Sequence, residues 1–460
     1  MSERTLAADR ERLAGLLEGE RGRFRRDHPR SAELFERSRR SLLAGVPMSW
    51  MAKWAGGHPV YLAEAHGARV VDVDGNEYAD LCLGDTGAMA GHSPAPTVAA
   101  VRDRLERRGG ATVMLPTEDA AWVGEELGRR FGLPYWQFSL TATDANRWIL
   151  RMARQVTARP RVLVFNWCYH GTVDESLVTL ADGASRSREG NIGAPVDPAE
   201  TTRVAEFNGL ASVERELAHG DVACVLAEPA LTNVGIVLPE AGFHEGLRAA
   251  TREAGALLVI DETHTLSAGP RGCTAAWGLR PDAVTLGKSI GGGVPIGAYG
   301  VGEELAERIV AQADADYEDV GGVGGTLAGN ALSLAAARAT LAEVLTDAAF
   351  ERMSALRERF VAGAERAIAA QRAPWCVVSL GARAEYRFAP RPPRTGAESA
   401  AAGDPELEDY LHLYLLNRGV LITPFHNMAL MSPATTEAEV DHHSEVFSDA
   451  LAELLSVRAA

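Results

Sequence analysis

Lysine is almost missing from this chain: of its 46 basic residues only Lys53 and Lys288 are lysines, and the rest are arginines. A reaction that needs a neutral amine has two candidates, because a guanidinium stays protonated in proteins. Cysteine is scarce as well. Cys82, Cys168, Cys224, Cys273 and Cys376 stand far apart with no CxxC spacing, so neither a disulfide framework nor a thiolate metal site has support, and we read them as reduced core residues. No metal is expected. No apolar run of about 18 residues is present to span a bilayer. The start MSERTLAADRERLAG lacks the apolar core and cleavage site of a secretory signal. A basic excess is absent too: the formal charge is -16, spread along the chain, which disfavours nucleic acid and membrane as partners. The expectation is a cytoplasmic protein that acts on small molecules.

What is present is a globular composition, 46% hydrophobic and 23% charged, in 460 residues, a length that predicts two or three domains. Residues 1–95 read as amino-terminal helices and part of a small domain, with helical spacing from Glu11 to Leu43 that points to a surface arm or lid. ARVVDVDGNEYADLCL (Ala68 to Leu83) predicts a hairpin turning at Asp74, Gly75 and Asn76. Residues 96–340 alternate short apolar strands with helices, as in WQFSL, TDANRWILRMARQV, RVLVFN, DVACVLAEP, GFHEGLRAATREAG and ALLVIDE. That alternation predicts a mostly parallel sheet covered by helices on both faces. Residues 341–460 return to mixed α and β, interrupted by PRPPRTGAESAAAGDP (Pro390 to Pro405), which reads as an exposed loop.

The sharpest chemical signal is AVTLGKSIGGGVPIGAYG (Ala283 to Gly300), a short strand ending near Lys288 and followed by three glycines. Burial disfavours an ammonium, and the free amine it leaves is a nucleophile for a carbonyl. Glycines there would let backbone approach a bulky planar ligand. The bland alternative is a surface lysine before a flexible turn. The segment fits neither GxGxxG nor GxxxxGK[ST], and a lysine that precedes its glycines suits an aldehyde cofactor better than a diphosphate.

ALLVIDETHT (Ala256 to Thr265) is an apolar strand ending in Asp261 and Glu262. A buried carboxylate at that point can pair with a pyridinium nitrogen, the role we give Asp261, with Thr263 and His264 beside the ring. An N-cap or strand-end hydrogen bond is the structural alternative. TATDANR (Thr141 to Arg147) opens an amphipathic helix, so Thr141, Ala142 and Thr143 either cradle a phosphate or simply cap that helix. In NWCYHG (Asn166 to Gly171), Tyr169 offers a stacking ring or an ordinary core aromatic, and His170 shapes the turn. LAEPALTN (Leu226 to Asn233) supplies Glu228 and Asn233 for a phenolic oxygen, and GGTLAGN (Gly324 to Asn330) supplies Thr326 for a second phosphate contact.

In this order and wording the segments resemble the class III aminotransferases of fold type I, which depend on pyridoxal 5'-phosphate (PLP), and especially their glutamate-1-semialdehyde aminomutase branch. The likeness runs from SAELFERSRRSLLAGV through VVDVDGNEYAD, CYHG, EPALTNVGIVLP, DETHT and LGKSIGGGVPIGAYG to GTLAGNALSLAAA. It implies an α/β fold: a large domain with a mostly parallel sheet between helices, and a small α+β domain formed by both termini. It also implies that Lys288 is the Schiff-base lysine, Asp261 the pyridine partner, Tyr169 the stacking ring and Thr141 to Thr143 the phosphate site. Glu228 and Asn233 match the pair near the phenolic oxygen, and Thr326 a threonine reaching the phosphate from the neighbouring subunit of a homodimer.

Three positions depart from the family pattern. Met51 stands where the aminomutases carry a carboxylate-clamping arginine, so Met51 with Trp50 and Trp54 offers an apolar wall instead. Thr263 replaces the usual valine behind the ring, and Ala142 the glycine of the phosphate site. Arg387, in GARAEYRF, is a candidate for a substrate carboxylate, against the alternative of a solvated strand-edge arginine. The expected reaction is transamination between an amino acid or amine with a bulky or apolar side and a keto acid or aldehyde. An aminomutase or epimerase of the same fold is the alternative, and a non-catalytic ligand sensor a third reading.

Overall fold

In the computed structural model, which describes residues 10–312, 322–424 and 426–455, the chain divides into two compact units. The larger takes residues 94–350 and 393–401, and the smaller takes 1–93, 351–392 and 402–460. The sequence placed the second boundary at 340. It falls after Phe350, inside the helix Asp347–Gln371, where continuous helical periodicity leaves no break to read. The first nine residues of the MSERTLAADRERLAG start lie outside the described residues.

The larger unit is built on seven strands, β1 (Tyr135–Ser139), β2 (Arg161–Phe165), β3 (Thr202–Ala205), β4 (Val222–Ala227), β5 (Leu257–Asp261), β6 (Ala283–Leu286) and β7 (Gly297–Val301). They lie in the order β1-β7-β6-β5-β4-β2-β3. The pairs β6 with β5, β5 with β4, β4 with β2 and β2 with β3 are parallel, while β7 runs antiparallel to both its neighbours. Every residue of β4, β5, β6 and β7 is buried, as a sheet covered on both faces requires, and this explains their continuous apolar runs. Each fully buried Val, Leu or Ile contributes about 1.5–3 kcal/mol, so these four strands anchor the unit. Phe165, Phe207 and Phe243 pack ring on ring at 4.7–5.6 Å, which seats the helix Phe243–Ala254 against the sheet.

Two glycines after Lys288 serve packing within the protein, whereas Gly293 has nothing within 4 Å of where a Cβ would go. A Cβ on Gly292 would sit 2.8 Å from Thr97 Oγ1, and one on Gly300 would meet the Trp136 ring at 2.5 Å. These glycines thus let protein backbone approach protein, which is how the glycine-rich β7 fits beside β1.

Residues 393–401 also depart from expectation. Gly396–Ala401 is a short helix; Ser399 Oγ donates to the Val234 carbonyl at 2.6 Å, and Arg394 reaches Glu240 at 2.5 Å. Composition marked this stretch as loop, but its polar groups find partners in the larger unit, so it folds there.

In the smaller unit the hairpin forms where expected, Arg69–Asp72 pairing antiparallel with Glu77–Asp80, and Val420–Leu421 adds in parallel. A second sheet joins Cys376–Leu380, Arg383–Arg387 and Met428–Leu430. The expected surface arm is instead a packed element: in the helix Arg10–Asp27, Leu13, Leu17 and Phe24 are buried. His28 just beyond it bonds Tyr78 Oη at 2.7 Å, and Tyr78 donates to Asp72 at 2.8 Å, which ties the amino-terminal helices to the hairpin.

Candidate active site

Four parallel strands of the larger unit deliver functional side chains at or just past their carboxyl ends, where open α/β sheets bind ligands. Asp261 is the last residue of β5 and is 3% exposed. Its Oδ2 accepts from His170 Nδ1 at 2.9 Å and Asn146 Nδ2 at 2.8 Å, and its Oδ1 accepts from the Thr263 amide at 2.9 Å. Thr285, in β6, donates its hydroxyl to Asn146 Oδ1 at 2.7 Å, which turns the amide's NH2 toward the carboxylate.

Burial by itself would raise the Asp261 pKa. The hydrogen bond and charge of His170, with the Thr263 donors, outweigh it and hold the carboxyl below the usual range. Burial likewise opposes charge on His170, but the Cys168 sulfur beside it and Asp261 outweigh burial and raise its pKa. The result is an ionised carboxylate fixed at the end of a central strand. It can face a protonated ring nitrogen and hold it protonated.

Lys288 follows β6 and sits at φ 52°, a left-handed conformation that costs a non-glycine residue about 1–3 kcal/mol. Its Nζ lies 2.9 Å from His264 Nε2. Glu228, just past β4, is buried, and burial raises its pKa; it accepts from the Tyr169 amide at 3.3 Å and the Thr232 hydroxyl at 2.5 Å. Asn233, expected to work beside Glu228, is half-buried, and the side chain that reaches Glu228 belongs to Thr232. Tyr169 is half-buried just before His170.

At the start of the helix Ala142–Thr157, Thr141 acts as N-cap: its Oγ1 accepts from the Asp144 amide at 3.1 Å and donates to the Asp144 carboxylate at 2.9 Å. The capping reading therefore holds for the Thr141 side chain. The first-turn amides of Ala142 and Thr143 remain the natural anion donors of a helix start. Thr143 Oγ1 accepts from the Thr172 amide at 3.2 Å. Ala142 is accommodated because residue 287 is glycine, whose Cβ would otherwise lie 2.7 Å from the Ala142 methyl. Gly171, at φ 78°, has Thr143 Oγ1 where a Cβ would go. Gly171→Ala is expected to lower phosphate affinity at this cradle at least about 10-fold and to cost about 1–3 kcal/mol of stability, through strain at positive φ and displacement of Thr143. PLP titration and thermal unfolding would check it, and unchanged binding would show that the cradle lies elsewhere.

A flat aldehyde with a ring nitrogen and a phosphate fits this donor set. An amine stands at Lys288, an ionised carboxylate at Asp261 and a helix-start cradle between Gly171 and Gly287. Thr326 is exposed on the turn before the helix Ala331–Ala339. Among the described residues no cluster of three or more His, Cys, Asp or Glu is arranged to hold a metal ion, and no helix is long and apolar enough to cross a membrane.

The remaining candidates belong to the smaller unit. Trp50 and Met51 lie in the 3-10 turn Ser49–Ala52, with Met51 46% exposed. Trp54 lines a cavity of about 510 Å³ with Arg21, Arg25, Lys53, Glu408 and Asp409. Arg387 is not a solvated edge residue: it is 5% exposed and pairs with Glu385 at 3.3 Å, so a carboxylate already balances it.

Sequence reasoning missed Asn146, Thr285 and Thr232. Asn146 did leave a trace, since it shares the buried face of its helix with Ile149, Leu150 and Ala153, and a buried amide on an apolar stripe must find partners.

A doubly covered sheet of this order with its site at the carboxyl ends is the fold type I architecture of PLP enzymes. The chain belongs to the class-III aminotransferases, whose family model matches residues 50–451. It is 32% identical over 435 residues to glutamate-1-semialdehyde 2,1-aminomutase of Anaeromyxobacter sp. (strain Fw109-5), covering 93% of this chain and 99% of that one. A crystal structure of a glutamate-1-semialdehyde-aminomutase from Pseudomonas aeruginosa PAO1 superposes with a TM-score of 0.94 at 50% identity, covering 97% of this chain and 99% of that one. An omega-transaminase from Sphaerobacter thermophilus gives 0.84 at 28% identity, covering 93% and 98%. The cofactor of this enzyme is PLP, in keeping with the family and with a lysine-to-alanine variant of the Pseudomonas protein solved with PMP.

Proposed function

We propose that Lys288 carries the cofactor and that the enzyme moves an amino group between neighbouring carbons of one small amino aldehyde or amino ketone, as an aminomutase. The observation that carries the site reading is the convergence at the strand ends of Lys288, contacted by His264, and Asp261, held ionised chiefly by His170 and hydrogen-bonded by Asn146. When bound, PLP supplies an aldehyde that holds an amine covalently and a ring that accepts electrons from the adjoining carbon. Nζ of Lys288, once neutral, takes the proton from the substrate carbon and returns it to another atom. Asp261 keeps its negative charge toward the ring nitrogen, Tyr169 covers the ring, Glu228 and Asn233 serve the phenolic oxygen, and the Ala142 and Thr143 amides bind the phosphate. A homodimer completes the site, with Thr326 reaching the phosphate of the partner; exposed Met114, Leu115 and Leu327 on the larger unit support such an interface.

What favours the intramolecular outcome over the transamination expected from sequence is the 50% identity with a protein named as an aminomutase, against 28% with the omega-transaminase. The second reading, transfer between two substrates, is favoured by the thioether at Met51, where the family resemblance places a carboxylate-binding arginine. The test is holoenzyme given a single compound, first glutamate 1-semialdehyde and then amino aldehydes with apolar side chains. Exchange of the amino and carbonyl positions with no second carbonyl compound is expected. A strict requirement for an added keto acid in every case would overturn the intramolecular reading and leave transamination standing.

A further inference from the structure

The Lys288 ammonium must lose a proton before its nitrogen can attack a carbonyl, and a lysine in water holds that proton to about pH 10.4. Lys288 is half-buried just past the end of β6. One side chain is placed to take that proton. Nε2 of His264 lies 2.9 Å from Nζ, a hydrogen-bond distance between the two nitrogens, and the imidazole is itself 5% exposed. We propose that His264 is a catalytic proton relay for Lys288: one proton leaves Nζ for Nε2, the freed lone pair attacks the carbonyl carbon, and the carbonyl oxygen leaves as water with the two protons still on Nζ as C=N replaces C=O. When an incoming amine displaces the lysine, Nζ takes that amine's two protons and the third returns from Nε2.

The neighbouring acids have partners of their own. The His264 segment begins in Asp261, which is committed to His170, Asn146 and the Thr263 amide, and Glu262, which is buried and accepts from Thr265, Thr274 and the Cys273 amide. The charged group that meets His264 from the turn after β6 is Lys288. The two nitrogens are within hydrogen-bond distance of each other, so a proton can pass directly between them. A 3-10 turn, Thr265–Ala268, follows His264 directly, and Ser267 donates its amide to the His264 carbonyl at 3.3 Å, which fixes where the ring emerges.

The inference rests on the reading that Lys288 carries the cofactor, and the experiment separates the two. Cofactor-free protein is mixed with PLP, and the rate of covalent attachment is followed by absorbance across pH; borohydride reduction and peptide mapping then locate the pyridoxyl group. His264→Gln keeps an acceptor for Nζ but cannot carry a proton. It is expected to slow attachment about 100-fold and to change the pH profile of the rate, with the label still on Lys288. In His264→Ala, added imidazole is expected to restore much of the rate. If both variants attach PLP to Lys288 at the wild-type rate and with the wild-type pH profile, the relay is wrong and the cofactor reading stands. A label on Lys53, or none on Lys288 in the wild type, overturns the cofactor reading itself. His264→Asn serves in place of Gln if that protein does not fold, with the same two outcomes.

Discussion

Lys288→Ala is expected to reduce turnover by at least about 10⁴-fold, roughly 5.4 kcal/mol of transition-state stabilisation, because in the proposed role this lysine is both covalent carrier and proton shuttle. The variant should still bind the cofactor, since Asp261 and the helix-start amides do not involve the lysine. Borohydride should then fix no pyridoxyl group on the chain. With only Lys53 left among side-chain amines, the experiment has an internal control: Lys53 is exposed, with its Nζ 5.8 Å from the centre of the Trp50 ring. Normal turnover by Lys288→Ala would end the case for covalent catalysis at this position.

The second large effect concerns Asp261→Asn. Removing one member of a buried ion pair strands the other, at about 3–5 kcal/mol, so the cofactor-free protein should unfold at a clearly lower temperature. In the proposed site the same change takes the negative charge from the ring nitrogen, and kcat is expected to fall about 10³-fold, or ~4 kcal/mol. The pH dependence has a definite sign. Asp261 has a depressed pKa, so its contribution is fully present above about pH 3.9 and is lost as pH falls through the folded-state value. His170 has a raised pKa, so its contribution is fully present below about pH 6.5 and is lost as pH rises through its folded-state value. The gap in unfolding midpoint between wild type and Asp261→Asn should therefore be widest between about pH 4 and 6.5, and should close as the solution is acidified further. A gap that stays constant from pH 7 to pH 3 would mean the carboxylate is not paired as described.

Position 51 shows how far substrate can be argued from a chain like this. The resemblance puts an arginine there and the chain has methionine, which pointed toward transamination of an amino acid or amine with a bulky or apolar side. The relatives at 32% and 50% identity are named as aminomutases, and they weigh toward movement of the amino group within one molecule. Both observations are accommodated by an aminomutase whose substrate lacks a carboxylate at that end.

Local pattern was enough for some of this protein. The rarity of lysine singled out Lys288, the apolar run before Asp261 announced a buried strand with an acid at its end, and the strand and helix alternation announced a doubly covered sheet. Such features repeat over a few residues and depend on side-chain character alone. Packing decided the rest. Asn146 and Asp261 are 115 residues apart in sequence, so nothing in either neighbourhood foretold that contact; His264 was placed beside the ring, but its 2.9 Å approach to Lys288 was not legible. The glycines near Lys288 were legible as a need for space, but only the assembled sheet shows that Thr97 and Trp136 fill it. Composition likewise made residues 393–401 look like loop, and only the partners they meet in the larger unit turn them into structure. Residue type determines which chemistry is available, whereas the distance and burial that put it to use arise when remote segments are pressed together and each buried polar group must find a partner.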